Sequence, residues 1–171
     1  MAKQSNSAHD NTKMPIIAFD FDGTLTVTDT YPAISELRPY AKEIIDFIRA
    51  CGMRVVIWTC RDSDDISDDI TPMADYLNEN NITVDGINSV IKYSPWHYES
   101  RKIYAHMYVD DRSYGWIESN LCLMYVLGDI LTRFCGCDNS DVAAITSRIT
   151  KGEDVSEYAA AIKRYLTEHW V

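Results

Sequence analysis

Two aspartates one residue apart, Asp20 and Asp22, come directly after the apolar run PIIAF of residues 15–19 and are followed by Gly23 and Thr24. A second acidic pair, Asp110 and Asp111, follows the short apolar run MYV of residues 107–109. In an extended segment alternate side chains face one side, so positions 20 and 22 can point together as the chain leaves a strand. Gly23 allows a tight turn and a close backbone approach there. Carboxylates gathered in this way repel one another unless a hard cation neutralises them. A small set of oxygen ligands suits Mg²⁺, with water completing an octahedral shell. A cation so held would accept a phosphate oxygen directly.

Such residues need elements that bring them to one place. Residues 15–21, 53–58 and 107–110 are apolar runs ending in polar groups, the mark of buried parallel strands that deliver their chemistry at the carboxyl end. The second of them ends in Thr59-Cys60-Arg61-Asp62. Between the first two, Ala41, Ile44, Ile45 and Ile48 recur at helical spacing and stop at Cys51-Gly52, predicting an amphipathic helix from about Pro39. Thr71-Pro72 reads as an N-cap with proline at the first helical position, on a helix closing near Asn80. A weaker extended segment spans residues 82–91. Strands alternating with helices predict an α/β fold, a Rossmann-like parallel sheet with helices on both faces and right-handed crossovers. In such a sheet the carboxyl ends of neighbouring strands form the ligand crevice.

Residues 20–26, DFDGTLT, resemble the first motif of the haloacid dehalogenase (HAD) superfamily. Thr59 stands where the second motif would, and Lys102 with Asp110-Asp111 is similar to the third and fourth. Residues 31–34 (YPAI), 58–61 (WTCR), 100–103 (SRKI) and 110–112 (DDR) further resemble the small, capless HAD hydrolases of bacteria and phages. The resemblance covers residues 14–116. It implies that Asp20 is the nucleophile, forming an aspartyl phosphate, and that Asp22 is general acid and base. Asp20, the Asp22 backbone carbonyl, Asp110 and Asp111 would hold Mg²⁺. Thr59 and Lys102 would bind the phosphoryl oxygens, with Gly23, Thr24, Arg61 and Arg112 as further substrate contacts. Lys92 rivals Lys102, and which of Asp110 and Asp111 touches the metal directly is open. The activity implied is Mg²⁺-dependent phosphomonoester hydrolysis. Alternatives are a polynucleotide end phosphatase and a non-catalytic metal- and phosphate-binding scaffold with a helical interaction tail.

Each residue also has a plainer reading. An Asp pair after a strand often only forms the turn; four motifs in order favour the catalytic role. Arg61 and Arg112 either clamp a second anionic group of the substrate or pair with a neighbouring Asp. The acidic run of residues 62–69 reads as a solvated loop before a helix start. Cys135-Gly136-Cys137 lacks the spacing of a metal site and reads as a helix-end turn, and His97 and His106 as packing or surface residues.

Composition narrows the partners. Of 171 residues, 16 are Lys or Arg and 26 Asp or Glu, giving a net charge of −10 that argues against polynucleotides. The 46% apolar content excludes wholesale disorder. The longest apolar run, residues 121–127, is far short of the ~20 residues of a membrane span, and residues 1–13, a polar flexible leader, lack a secretory core. Five scattered cysteines read as reduced thiols in a cytoplasmic protein. Beyond Gly115 the pattern is helical only, over residues 121–134, 141–149 and 155–166. Residues 117–171 are therefore expected as a helical extension that buries its apolar segment, with a homodimer and a lid over the site as further expectations.

Overall fold

The computed structural model describes residues 14–62, 68–89, 103–113 and 115–170. Four strands, β1 (Ile16–Phe19), β2 (Arg54–Ile57), β3 (Gly86–Ile87) and β4 (Met107–Val109), form one all-parallel sheet in the order β3-β2-β1-β4. Helix α1 (Ala41–Ala50) follows β1, α2 (Ile70–Glu79) follows β2, and α3 (Cys122–Phe134), α4 (Asn139–Thr150) and α5 (Ser156–His169) complete the chain. The result is the expected Rossmann-like α/β arrangement, a parallel sheet flanked by helices, with further helices at its C-terminal end.

Register follows from alternation along the strands. Ile17 and Phe19 of β1, with Val55 and Ile57 of β2, join one large core shared with α1 and α2; Ile16, Ala18 and Val56 face the other side. The step from β1 to β2 to β3 runs in one direction across the sheet, so right-handed crossovers set α1 and α2 on the same face. The chain then reverses to reach β4 beyond β1, and the described end of that connection brings Ile103 against Ile16, Ala18 and Val56 on the opposite face. The strand order therefore switches between β1 and β4, which opens a crevice at their carboxyl ends.

Element ends depart from the sequence reading in small ways. Thr71 is not the N-cap of α2: the helix already starts at Ile70, Asp69 precedes it, and the Asp68 carboxylate accepts the Thr71 N–H at 3.0 Å. Pro72 still fits, because a first-turn residue has no intrahelical partner for its nitrogen. The extended segment of residues 82–91 contains only two strand residues, since β3 is an edge strand paired to β2 alone.

The C-terminal helices share the core of the sheet domain. Leu123, Leu127, Ile130 and Leu131 of α3 and Ile162 and Leu166 of α5 are buried in the same cluster as Ile44 and Ile48 of α1. Trp170 meets the rings of Phe134 and His106, and the His106 Nδ1 accepts the Ile16 N–H at 2.9 Å, a packing role for that histidine. The apolar segment of residues 121–134 is thus covered within the chain, except at Leu121 and Tyr125, which are exposed. Cys135 caps α3, and Gly136 at φ +66° turns the chain toward α4, whose start is closed by a capping box between Asp138 and Asp141. No helix among the described residues is long and apolar enough to cross a membrane.

If α3 belongs to the cooperative core, Leu127→Ala, at a side chain with no exposed surface, should cost about 2–5 kcal/mol. A urea titration followed by circular dichroism reads this directly; a loss below about 1 kcal/mol would show a helix that merely lies on the sheet domain.

Candidate functional site

The site begins where β1 ends. The Asp20 N–H donates to the Val109 carbonyl of β4 at 2.8 Å, and the Trp58 N–H donates to the Phe19 carbonyl at 2.8 Å, so the ladder extends right up to the polar residues on three strands. Residues 21–25 then make an irregular helical turn in which Asp22 stays extended and Gly23 adopts φ +82°. The Thr24 hydroxyl donates to Asp20 Oδ2 at 3.2 Å and accepts the Asp111 N–H at 2.9 Å, which ties the loop after β1 to the loop after β4. From behind, the buried Arg38 donates to the Gly23 carbonyl through Nε (3.1 Å) and Nη2 (2.6 Å), while its guanidinium pairs with both oxygens of Glu118.

Gly23 has two separate reasons to be glycine. Its φ belongs to the left-handed region, and a Cβ there would lie 2.6 Å from Asp111 Oδ2. Gly23→Ala is therefore expected to lower stability by about 1–2 kcal/mol from the backbone alone and to push the Asp111 carboxylate aside. An unchanged urea midpoint would mean that the loop accommodates a side chain after all.

Asp20, Asp110 and Asp111 each bring a carboxylate oxygen into a group whose atoms all lie within 4.8 Å of one another. Burial pushes the Asp20 carboxyl up to about 7; the charges of Asp110 and Asp111 add to this, against a backbone hydrogen bond from Phe21 and the Thr24 hydroxyl. Asp111 is also raised, by burial and by Asp110, with Arg112 and Arg38 opposing. These three are the residues that could hold a cation, and among the described residues no other group of His, Cys, Asp or Glu converges in this way.

Asp22 lies apart from that triad, in the grip of Arg61. Nε donates to Oδ2 and Nη2 to Oδ1, each at 2.7 Å, and the Arg61 side chain is only 2% exposed. The same guanidinium donates to the carbonyls of Pro32 (3.1 Å) and Ala33 (2.9 Å). Of the two readings open for Arg61, the structure has the pairing with Asp. Arg112 likewise pairs with Asp29, on the surface. Asp29 and Tyr31 belong to a flap, residues 26–37, closed by a Thr26–Leu37 bridge and by a Val27 N–H to Glu36 carbonyl bond of 2.9 Å; the Tyr31 hydroxyl reaches the Asp69 carboxylate at 2.6 Å.

Thr59 follows β2 by two residues, beside these groups. Its N–H donates to Asn88 Oδ1 at 2.9 Å, and its hydroxyl accepts the Arg61 N–H at 3.2 Å. Asn88, whose Nδ2 donates to the Arg61 carbonyl at 2.8 Å, is a site residue that the sequence reading missed; its one signal was a polar residue at the end of a weak extended segment. A cleft of about 440 Å³ is lined by Asp20, Asp22, Tyr31, Thr59, Arg61, Asp110, Asp111 and their neighbours, and an adjoining lobe of about 730 Å³ reaches Trp58 and Asn88. Among the described residues, none from α3, α4 or α5 lines either space, so the expected lid is not formed by those helices. Lys102, its rival Lys92 and His97 lie outside the described residues.

No family model matches the chain, and no curated protein does. A solved structure described as a conserved protein coded by a locus of Bacteroides thetaiotaomicron is similar over 85% of this chain and 97% of its own, with a TM-score of 0.52 and 20% identity. At that identity the likeness shows the fold alone.

Proposed function

We propose that this chain is a Mg²⁺-dependent phosphomonoester hydrolase of the HAD type, with Asp20 as nucleophile. The observation that carries the reading is a half-buried carboxylate at a strand switch point, surrounded by Asp110 and Asp111 and raised to about 7. The donor set fits Mg²⁺: all ligands are carboxylate oxygens, and burial first and mutual repulsion second raise Asp20 and Asp111, a cost of gathering negative charge that a divalent cation would relieve. Asp20, Asp110 and Asp111 would hold it, with the Asp22 carbonyl as the HAD resemblance implies; bound there, it would supply charge neutralisation for the phosphoryl oxygens and the nucleophile.

The chain's own groups supply the rest. Asp20 attacks phosphorus in line and takes the phosphoryl group as an acyl phosphate, splitting one displacement into two. Thr24 holds the Asp20 carboxylate by its hydroxyl, which fixes the attacking group between two loops. Asp22 gives its proton to the leaving oxygen and later takes one from the water that hydrolyses the intermediate. Thr59, held by Asn88, meets the phosphoryl oxygens, joined by the lysine that the HAD resemblance implies, Lys102 or its rival Lys92. Five aspartates line the cleft, Asp20, Asp22, Asp29, Asp110 and Asp111, and its two arginines are each engaged by one of them. This balance, with the net charge of −10, favours small phosphomonoesters over polynucleotide ends.

Purified protein should hydrolyse 4-nitrophenyl phosphate with added Mg²⁺, and a chelator should abolish the turnover. Equal rates with and without chelator would overturn the metal-dependent mechanism, and the absence of turnover on a broad panel of phosphorylated metabolites would overturn the hydrolase reading.

A further inference from the structure

We propose that Arg61 is a positioning residue for proton transfer: through one buried guanidinium it fixes the Asp22 carboxylate and ties the flap, at Pro32 and Ala33, to the end of β2. This rests on the hydrolase reading above and names a residue through which that site is controlled.

A guanidinium has five N–H donors in a rigid fork. In Arg61 the fork grips both Asp22 oxygens side by side, while two of the other three donors reach two consecutive flap carbonyls. The rings of Phe21 and Tyr31 lie 5.6 and 5.3 Å from its central carbon. At 2% exposure, with both Asp22 oxygens and two flap carbonyls on it, the guanidinium directs its charge to the protein's own groups. The Arg61 backbone is fixed as well, by Thr59 and Asn88 at the ends of β2 and β3. Asp22 is thereby aimed from three directions: its own loop, the strand end and the flap.

This arrangement has a chemical consequence. A carboxylate with both oxygens on a guanidinium can carry a proton only if one of the two N–H bonds lets go. The flap carbonyls keep the guanidinium in place while that happens, so Asp22 keeps its aim through the cycle. In the first half-reaction the bond from phosphorus to the leaving oxygen breaks, its electron pair stays on that oxygen, and the oxygen takes the Asp22 proton. In the second, water gives a proton to Asp22 as its oxygen bonds to phosphorus and the bond from phosphorus to Asp20 breaks. Arg61 moves no proton in either; it restores the orientation of the carboxylate between them.

The test compares two substrates on the full chain with Mg²⁺: 4-nitrophenyl phosphate, whose leaving oxide needs little protonation, and an alkyl phosphate, whose alkoxide needs it. Arg61→Ala is expected to lower kcat/KM, which reads the first half-reaction alone, by at least about 100-fold on the alkyl phosphate and by less than about 10-fold on the aryl phosphate, the range of general acid catalysis setting the difference. Added guanidinium should restore part of the alkyl rate. Arg61→Lys, which keeps the charge and loses the fork, is the second variant if the alanine protein melts out, and it should show the same selective loss. A loss of kcat/KM equal on both substrates would overturn the proposal, and where it arises from a rise in KM with kcat intact it makes Arg61 a substrate clamp. Wild-type and Asp20→Asn controls separate the two levels: a wild type inactive on both substrates, or an active Asp20→Asn, defeats the hydrolase reading and the proposal with it, whereas an unselective Arg61 variant defeats the proposal alone.

Discussion

Asp20→Asn should lose at least about 10⁴-fold in phosphatase turnover and yet, in chelator at pH 8, melt several degrees above wild type. The two effects have one origin. Asn has the shape of Asp and can keep the Thr24 contact at 3.2 Å, so the loop need not move, but an amide nitrogen or oxygen there cannot act as the anionic nucleophile. In the metal-free protein the carboxylate is a burden. Its carboxyl is raised from 3.8 to about 7, first by burial and then by Asp110 and Asp111. The folded chain therefore binds a proton that the unfolded chain has already released, and stability falls as pH rises from about 4 through 7. Partial solvent access trims the full difference, leaving about 2–4 kcal/mol at pH 8, or roughly 5–10 °C for a chain this long. Asn removes that cost. At pH 5, where the folded wild type is protonated at Asp20, the two melting temperatures should draw most of the way together. Thermal scans at both pH values and an assay on 4-nitrophenyl phosphate check the pair of claims. A variant that keeps a tenth of the activity would mean that Asp20 is not the nucleophile, and one no more stable at pH 8 would mean that its carboxylate is not a burden on the fold.

The site was legible in the sequence to the extent that it lies at strand ends. Apolar runs that stop at Asp20, Thr59 and Asp110 are local signals, and a parallel sheet brings such endings together whatever the loops do. Asn88 was not legible because β3 has only two residues and little apolar pattern to announce its end. The partner of Arg61 could not be read either: Asp22 is 39 residues away, and an arginine after a strand looks the same whether it turns to solvent or to a buried carboxylate. The helical extension shows a third kind of limit. Amphipathic spacing reveals that α3 and α5 have faces to bury, and it is silent on the surface they choose; they chose α1, on the side of the sheet that carries Ile17 and Phe19. Among the described residues that leaves the cleft lined by strand ends and flap alone.

Mg²⁺ should raise the melting temperature of wild type by roughly 5–10 °C at pH 8, and the gain should fade as pH falls to 5. A ligand that binds only the folded chain stabilises it by about 2.7 kcal/mol at one hundred times its dissociation constant, which for a chain of 171 residues gives a shift of that size. The pH dependence follows from the same carboxylates. Asp20, raised to about 7, and Asp111, also raised, must be ionised to hold a cation, so protons compete for the site in the range where the folded protein takes them up. Below the Asp20 value each pH unit should weaken apparent Mg²⁺ affinity by about tenfold, and by more if Asp111 joins, while above it the affinity levels off. Asp111→Asn should shrink the shift at pH 8 and leave the protein folded, since that carboxylate sits at the cleft and not in the apolar core. Scans in a matched series of buffers with Mg²⁺ or chelator read all of this without any assay of turnover. A shift of equal size at pH 5 and pH 8 would place the cation somewhere other than on Asp20, and no shift at either pH with 10 mM Mg²⁺ would mean that the three carboxylates meet for a reason other than a metal.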